Sequence, residues 1–280
     1  MEVIINKCCM ECAPGHHVAF QLPASVTDLK LTVHRCVENA VDALTRATSI
    51  RRLNLRFIEG PMFPDFLTRM QLVTLTIDSQ VTVTDDHLRV IKQLSTLRSL
   101  TLFDQDWTLQ KLQLLCTPPH AFHQLEHIGM VRTSLAGGHM EALHNIPSLT
   151  ELCPSDMIPT ALHVMHRCLP RSCTKLHISM VWRALNPFGI MGDVDLSRIT
   201  ALRLEAITLS SDVGVRFMCT RLPSVTDLQL SYCDLPSDLS QLAMPQLHTL
   251  SIHNLQTKRV TRSQLTNLPA LQSFEFTAPF

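Results

Sequence analysis

Val225-Thr226-Asp227-Leu228-Gln229-Leu230-Ser231-Tyr232-Cys233-Asp234-Leu235 spaces its apolar residues as L-x-x-L-x-L-x-x-C-x-L. A short strand sends alternate side chains to opposite faces, so Leu228 and Leu230 go to a core while Asp227, Gln229 and Ser231 face outward. Working outward from Leu228, the same unit recurs with its second apolar residue at Leu29, Leu53, Leu75, Leu100, Ile128, Leu152, Leu176, Leu202, Leu250 and Phe274. Consecutive anchors stand 22 to 28 residues apart, and ten steps cover the 245 residues from Leu29 to Phe274. One such unit is cheap in a chain rich in Leu; ten steps in so narrow a range reveal a repeat that stacks.

After each strand the chain must return. Candidate return segments are Val37–Ala47, Asp85–Leu94, Leu109–Cys116, His139–Ile146, Pro159–Leu169, Ser211–Arg221 and Val260–Leu268. Thr84-Asp85-Asp86 and Ser210-Ser211-Asp212 carry helix-start residues ahead of apolar runs. A single strand-plus-return unit cannot bury its apolar side, so neighbours must stack and their strands must form a parallel sheet.

These units resemble the leucine-rich-repeat superfamily, and Cys233 at the turn is similar to the ribonuclease-inhibitor-like and cysteine-containing repeat classes. The resemblance implies an α/β solenoid, a curved horseshoe with a parallel sheet on its concave face and a helical or irregular convex side. It covers nearly the whole chain as a single domain, 1–280, of about eleven to twelve repeats. Residues 1–24 are expected to form a degenerate first repeat or N-terminal cap, with Ile5 at the anchor place 24 residues before Leu29. Residues 271–280, with Phe274, Phe276 and Phe280, are expected to form a C-terminal cap. The other turns carry His34, Ile58, Gln105, Thr133 or Leu255 where Asn or Cys is usual, so the turn ladder must be replaced or interrupted.

Composition narrows the function classes. Lys plus Arg equals Asp plus Glu at 24 each, without a run of like charges that would serve nucleic acid or an anionic membrane. A neutral, mixed-sign surface favours protein partners. Met1–Asn6 makes a poor secretory signal and no stretch is long and apolar enough to span a bilayer, so an intracellular, cytoplasmic protein is expected. The ten cysteines lack a framework of fixed spacings and read as reduced, buried thiols.

No nucleophile, metalloprotease, P-loop or dinucleotide signature is present, and no cofactor is implied. The one metal-like cluster is Cys9-x-x-Cys12 with His16, which has zinc-ligand spacing but lacks a distant second pair. Two stretches break the repeat rhythm: Pro118-Pro119-His120, and Trp182 to Gly192, where apolar residues alternate with Pro and Gly.

The register also names the outward positions: the residues one before, one after and three after each anchor. Six of these are acidic and five basic. Arg52 and Arg56 stand between Asp28 and Asp78, Phe103, His127 and Val131 offer an aromatic and apolar centre, and Lys175, His177 and Arg203 add cations further along. With Trp182, these are the expected contacts to a protein partner. The expected function is a non-catalytic protein–protein interaction scaffold using the concave face. Kinship offers one alternative, the recognition arm of an enzyme complex such as an F-box-type ubiquitin ligase, although no F-box-like helical segment is expected ahead of the repeats. A metal or redox role at Cys9, Cys12 and His16 is a third.

Overall fold

In the computed structural model every anchor from Leu29 to Phe274 lies in a β-strand, and each strand is parallel to its sequence neighbour within the two units described below. The structure describes residues 2–8, 22–33, 46–57, 65–78, 83–103, 107–117, 122–131, 135–155, 159–179, 195–209, 212–235, 239–253 and 260–277. The chain forms two compact units, Met1–Arg132 and Thr133–Phe280.

The first unit contains β1 (Glu2–Cys8), β2 (Asp28–Val33), β3 (Arg52–Phe57), β4 (Thr74–Ile77), β5 (Ser99–Phe103) and β6 (His127–Val131). Its anchors pair in one continuous row, Leu29 with Leu53, Leu53 with Leu75, Leu75 with Leu100 and Leu100 with Ile128. The first strand corrects the sequence reading: Val3 is the partner of Leu29, and Ile5 pairs with Leu31.

The second unit contains β7 (Glu151–Pro154), β8 (Lys175–Ser179), β9 (Ala201–Glu205), β10 (Asp227–Ser231), β11 (Thr249–His253) and β12 (Ser273–Thr277). Leu152, Leu176, Leu202, Leu228, Leu250 and Phe274 form its anchor row.

Three rows of side chains build the core. The residue three before each anchor is buried from Val26 through Leu97 and Leu149 to Leu247, as are the anchors and the residues two further on, including Leu55, Leu102, Leu204 and Ile252. At β12 burial weakens, for Phe274 and Phe276 are only half-buried.

Among the described residues the α-helical returns are α1 (Asp85–Lys92), α2 (Leu109–Cys116), α3 (Gly137–Leu143), α4 (Pro159–Cys168) and α5 (Asp212–Arg221). Thr84 caps α1 as its sequence suggests, accepting from the His87 N–H, while His87 Nδ1 accepts from the Thr84 N–H at 3.1 Å. His139 opens α3 in the same way, accepting from the Ala136 N–H at 2.8 Å. Two of the histidines are therefore accounted for as helix starts. Val260–Leu268 departs from expectation: only the 3-10 turn Arg262–Gln264 forms there. The β-branched Val260, Thr261 and Thr266 in that stretch disfavour a longer helix.

Two regular hydrogen-bond systems hold successive repeats in phase. Within each unit the carbonyl two before an anchor accepts two N–H groups from the next repeat; Thr200 O, for example, receives Thr226 N at 2.8 Å and Asp227 N at 3.1 Å. A hydroxyl four before the anchor reaches back to the preceding repeat, as Ser49 does to Val26 O, Thr96 to Leu72 O and Ser172 to Leu149 O. Both satisfy backbone groups that the core would otherwise leave unpaired.

Candidate functional site

Because the inward rows are fixed by burial, the residues between them are held on the outward face by backbone register rather than by their own contacts. In the first unit Arg52 Nη1 lies 3.2 Å from Asp28 Oδ1, and Arg56 Nε lies 3.8 Å from Asp78 Oδ2. Thr27 Oγ1 donates to Asp28 at 2.6 Å and, with the Arg52 guanidinium, holds that carboxyl below the usual range. Arg52 remains 70% exposed, so its pair with Asp28 adds little to stability and is free to exchange partners. Lys30, exposed, sits beside this pair in a shallow recess with Asn54, Thr74 and Thr76.

The sequence grouped Phe103, His127 and Val131 as one centre. Phe103 and Val131 are Cα partners at the ends of β5 and β6, but His127 pairs with Ser99 at the other end of the same strand. Four residues of strand separate His127 from Val131, about 13 Å. The His127 ring instead leans over Gly129: a Cβ there would stand 3.4 Å from Nε2 and 3.1 Å from the Thr101 side chain. A side chain at position 129 would thus be tight against Thr101 and His127, whereas the backbone angles of Gly129 impose no such limit.

In the second unit the outward face forms a trough of about 430 Å³ across β7 to β11. Glu151, Lys175, His177, Arg203, Asp227 and Gln229 supply its polar groups. His177 Nε2 donates to Glu205 Oε2 at 3.2 Å, and Arg203 Nη2 stands 3.7 Å from the same oxygen. Burial and then the nearby Arg203 charge hold the imidazole below its usual value, partly offset by Glu205, so His177 is neutral at pH 7. Cys153 Sγ donates to Glu151 Oε1 at 3.7 Å, and burial together with that carboxylate pushes its thiol up to about 12. A thiol so protonated is a poor nucleophile.

The predicted contacts Arg52, Arg56, Asp78, Phe103, His127, Val131, Lys175, His177 and Arg203 all occupy strand or strand-end positions of the outward rows. Trp182, the Trp182–Gly192 stretch, Pro118-Pro119-His120 and the Cys9, Cys12 and His16 cluster lie outside the described residues. Sequence reasoning passed over Glu205, which gathers two bases, and Tyr232. Tyr232 is half exposed and has φ of 55°, a left-handed conformation unusual for a bulky residue; Ala206 takes the same place one repeat earlier, with φ of 56°. Only the position of Tyr232, one residue beyond the outward triplet of β10, could have flagged it.

The turns at His34, Ile58, Gln105, Thr133 and Leu255 lie outside the described residues; at the turns that follow β9 and β10 the ladder is made by backbone. Ala206 N donates to Ser231 O at 2.9 Å, Tyr232 N to His253 O at 3.0 Å and Asp234 N to Ile207 O at 3.1 Å. Cys233 lies within it, its thiol donating to Leu204 O and Ser231 O.

No family profile matches the chain, and no curated protein matches it. Among solved structures, an internalin from Listeria monocytogenes is similar at 15% identity and a TM-score of 0.48, over 90% of this chain and 81% of the internalin. A circular LRR protein, CroV588, is similar at 17% identity and a TM-score of 0.46, over 91% of this chain, which spans 34% of that protein. The TLR13–ssRNA13 complex is similar at 13% identity and a TM-score of 0.48, over 91% of this chain and 41% of the matched one. Likeness at this level leaves the identification to the chain's own geometry. Anchors 22 to 28 residues apart, in register on parallel strands within each unit and joined by returns that include helical and 3-10 segments among the described residues, make both units leucine-rich-repeat folds.

Proposed function

We propose that the chain is a non-catalytic scaffold that binds a protein partner on the outward face of its strands. The observation that carries this reading is the division of labour along β3 to β11: inward residues are buried, while the charged outward residues are half-buried or exposed on a backbone fixed by its ladder. Such a surface is ordered before binding, which lowers the entropy lost on association. The Cys153 thiol, which lines the polar trough, is held protonated, and that favours recognition over covalent chemistry.

The reading is tested by capturing partners from a cell extract with the purified chain and measuring the affinity of each for two variants. Arg52→Glu with Arg56→Glu reverses two outward charges, and Phe103→Ala removes the aromatic beside Val131. Both are expected to weaken a partner seated on the first unit, by tenfold or more if Phe103 is an anchor worth about 2 kcal/mol. Unchanged affinity in both variants would exclude the outward face of β3 to β6 as the site.

A further inference from the structure

In the row of residues that precede the anchors, β8, β9 and β10 set Lys175, Ala201 and Asp227 side by side as Cα partners. Neighbouring strands lie about 4.8 Å apart, so Lys175 and Asp227 rise from backbone about 10 Å apart. Ala201 puts a single methyl between them. One row further on, His177 and Arg203 both turn to Glu205, at 3.2 and 3.7 Å, and that carboxylate absorbs the two bases. Lys175, exposed, makes no ion pair among the described residues, and the Asp227 carboxylate accepts only the neighbouring Thr226 hydroxyl, at 2.8 Å. Glu151, the Cα partner of Lys175, accepts instead from the Cys153 thiol. The trough thus keeps one uncommitted cation and one uncommitted anion, separated by a gap of side-chain width.

We propose that this trough takes an extended segment of a protein partner bearing one acidic and one basic side chain on the same side, the acid on Lys175 and the base on Asp227. The proposal rests on the reading of the outward face as the binding surface. In an extended segment residues i and i+2 point the same way about 6.8 Å apart, and the length of Glu and Lys side chains spans the remainder. Gln229, Thr249 and Ser251 line the rest of the trough and offer polar partners for the segment's backbone. Two complementary charges add modest affinity but strong selectivity, because a like charge at either place is repelled.

Four end-blocked heptapeptides, Thr-Val-X-Thr-Z-Val-Thr, provide the probe, with X and Z as Glu and Lys, Glu and Glu, Lys and Lys, or Gln and Gln. Each is titrated against the parent chain, Lys175→Glu, Asp227→Lys and the double variant, followed by chemical-shift perturbation, with melting curves confirming that each variant folds. The parent is expected to prefer the mixed peptide about fivefold. Lys175→Glu should turn the preference to the Lys and Lys peptide, Asp227→Lys to the Glu and Glu peptide, and the double variant should restore the mixed one. Equal affinities, a preference that does not follow the substitutions, or no binding at millimolar peptide would overturn the proposal. None of those results bears on Arg52, Arg56 or Phe103, so the scaffold reading stands or falls separately.

Discussion

Leu53→Asp unfolds the first unit. Leu53 is 1% exposed and its Cα partners are Leu29 and Leu75, themselves buried, so the new carboxylate meets hydrocarbon on both sides. Burying it unpaired costs several kcal/mol whether it stays charged or takes up a proton. A whole domain is stable by only about 5–15 kcal/mol, so the substitution removes most or all of that margin. Leu53→Ala leaves a cavity instead and costs about 2–5 kcal/mol. Because repeats depend on their neighbours, the damage should centre on β2 to β4. Hydrogen exchange checks this: the amides of β2, β3 and β4 should lose protection in Leu53→Asp, whereas Arg52→Glu, one residue along and exposed, should keep it. Native-like protection of β3 in Leu53→Asp would show that this row is not the core.

The second large effect is chemical. Burial pushes the thiols of Cys116 and Cys153 up to about 12 and those of Cys173 and Cys233 up to about 11. At pH 8 a thiol of pKa 12 is thiolate about one part in ten thousand, against about a quarter for an ordinary thiol near 8.5. Alkylation of Cys116 and Cys153 by iodoacetamide in the native protein should therefore run about a thousandfold slower than in denaturant, read residue by residue by mass spectrometry. Glu151→Gln removes the second cause of the Cys153 shift and should speed its labelling severalfold while leaving Cys116 unchanged. Native labelling of Cys153 as fast as a free thiol would contradict this placement. The same shifts couple to stability: a thiol whose pKa is raised by folding favours the native state up to its unfolded pKa, and that contribution is lost as pH rises from about 9 toward 11 and 12.

What could be read from the sequence, and what could not, follows from which forces repeat. Core burial repeats every 22 to 28 residues, and the anchors from Leu29 to Phe274 were legible for that reason. So was Leu109–Cys116, reproduced end to end, and so was the Thr84 cap. The short turns Asp65–Arg69 and Leu239–Gln241 lack a helical period long enough to detect. On the outward face, register placed Phe103 beside Val131 but could not join His127 to them, since that needs the strand positions rather than the repeat number. The convergence of His177 and Arg203 on Glu205 depends on side-chain rotamers, and the left-handed backbone of Tyr232 on a local angle; neither leaves a periodic trace. The hydroxyls of Ser49, Thr96 and Ser172 do recur at one repeat position, but a polar residue there does not by itself name the carbonyl it reaches.

Site-specific photo-crosslinking tests the central claim most directly. A photoreactive amino acid is placed at Asn54 or Gln229, on outward strand positions, and at Gln110 or Arg167, exposed on the helical returns, and each protein is irradiated with a captured partner. The account predicts crosslinks from at least one outward strand position and none from the helical returns. Crosslinks only from Gln110 or Arg167 would place the partner on the other side of the chain and contradict it.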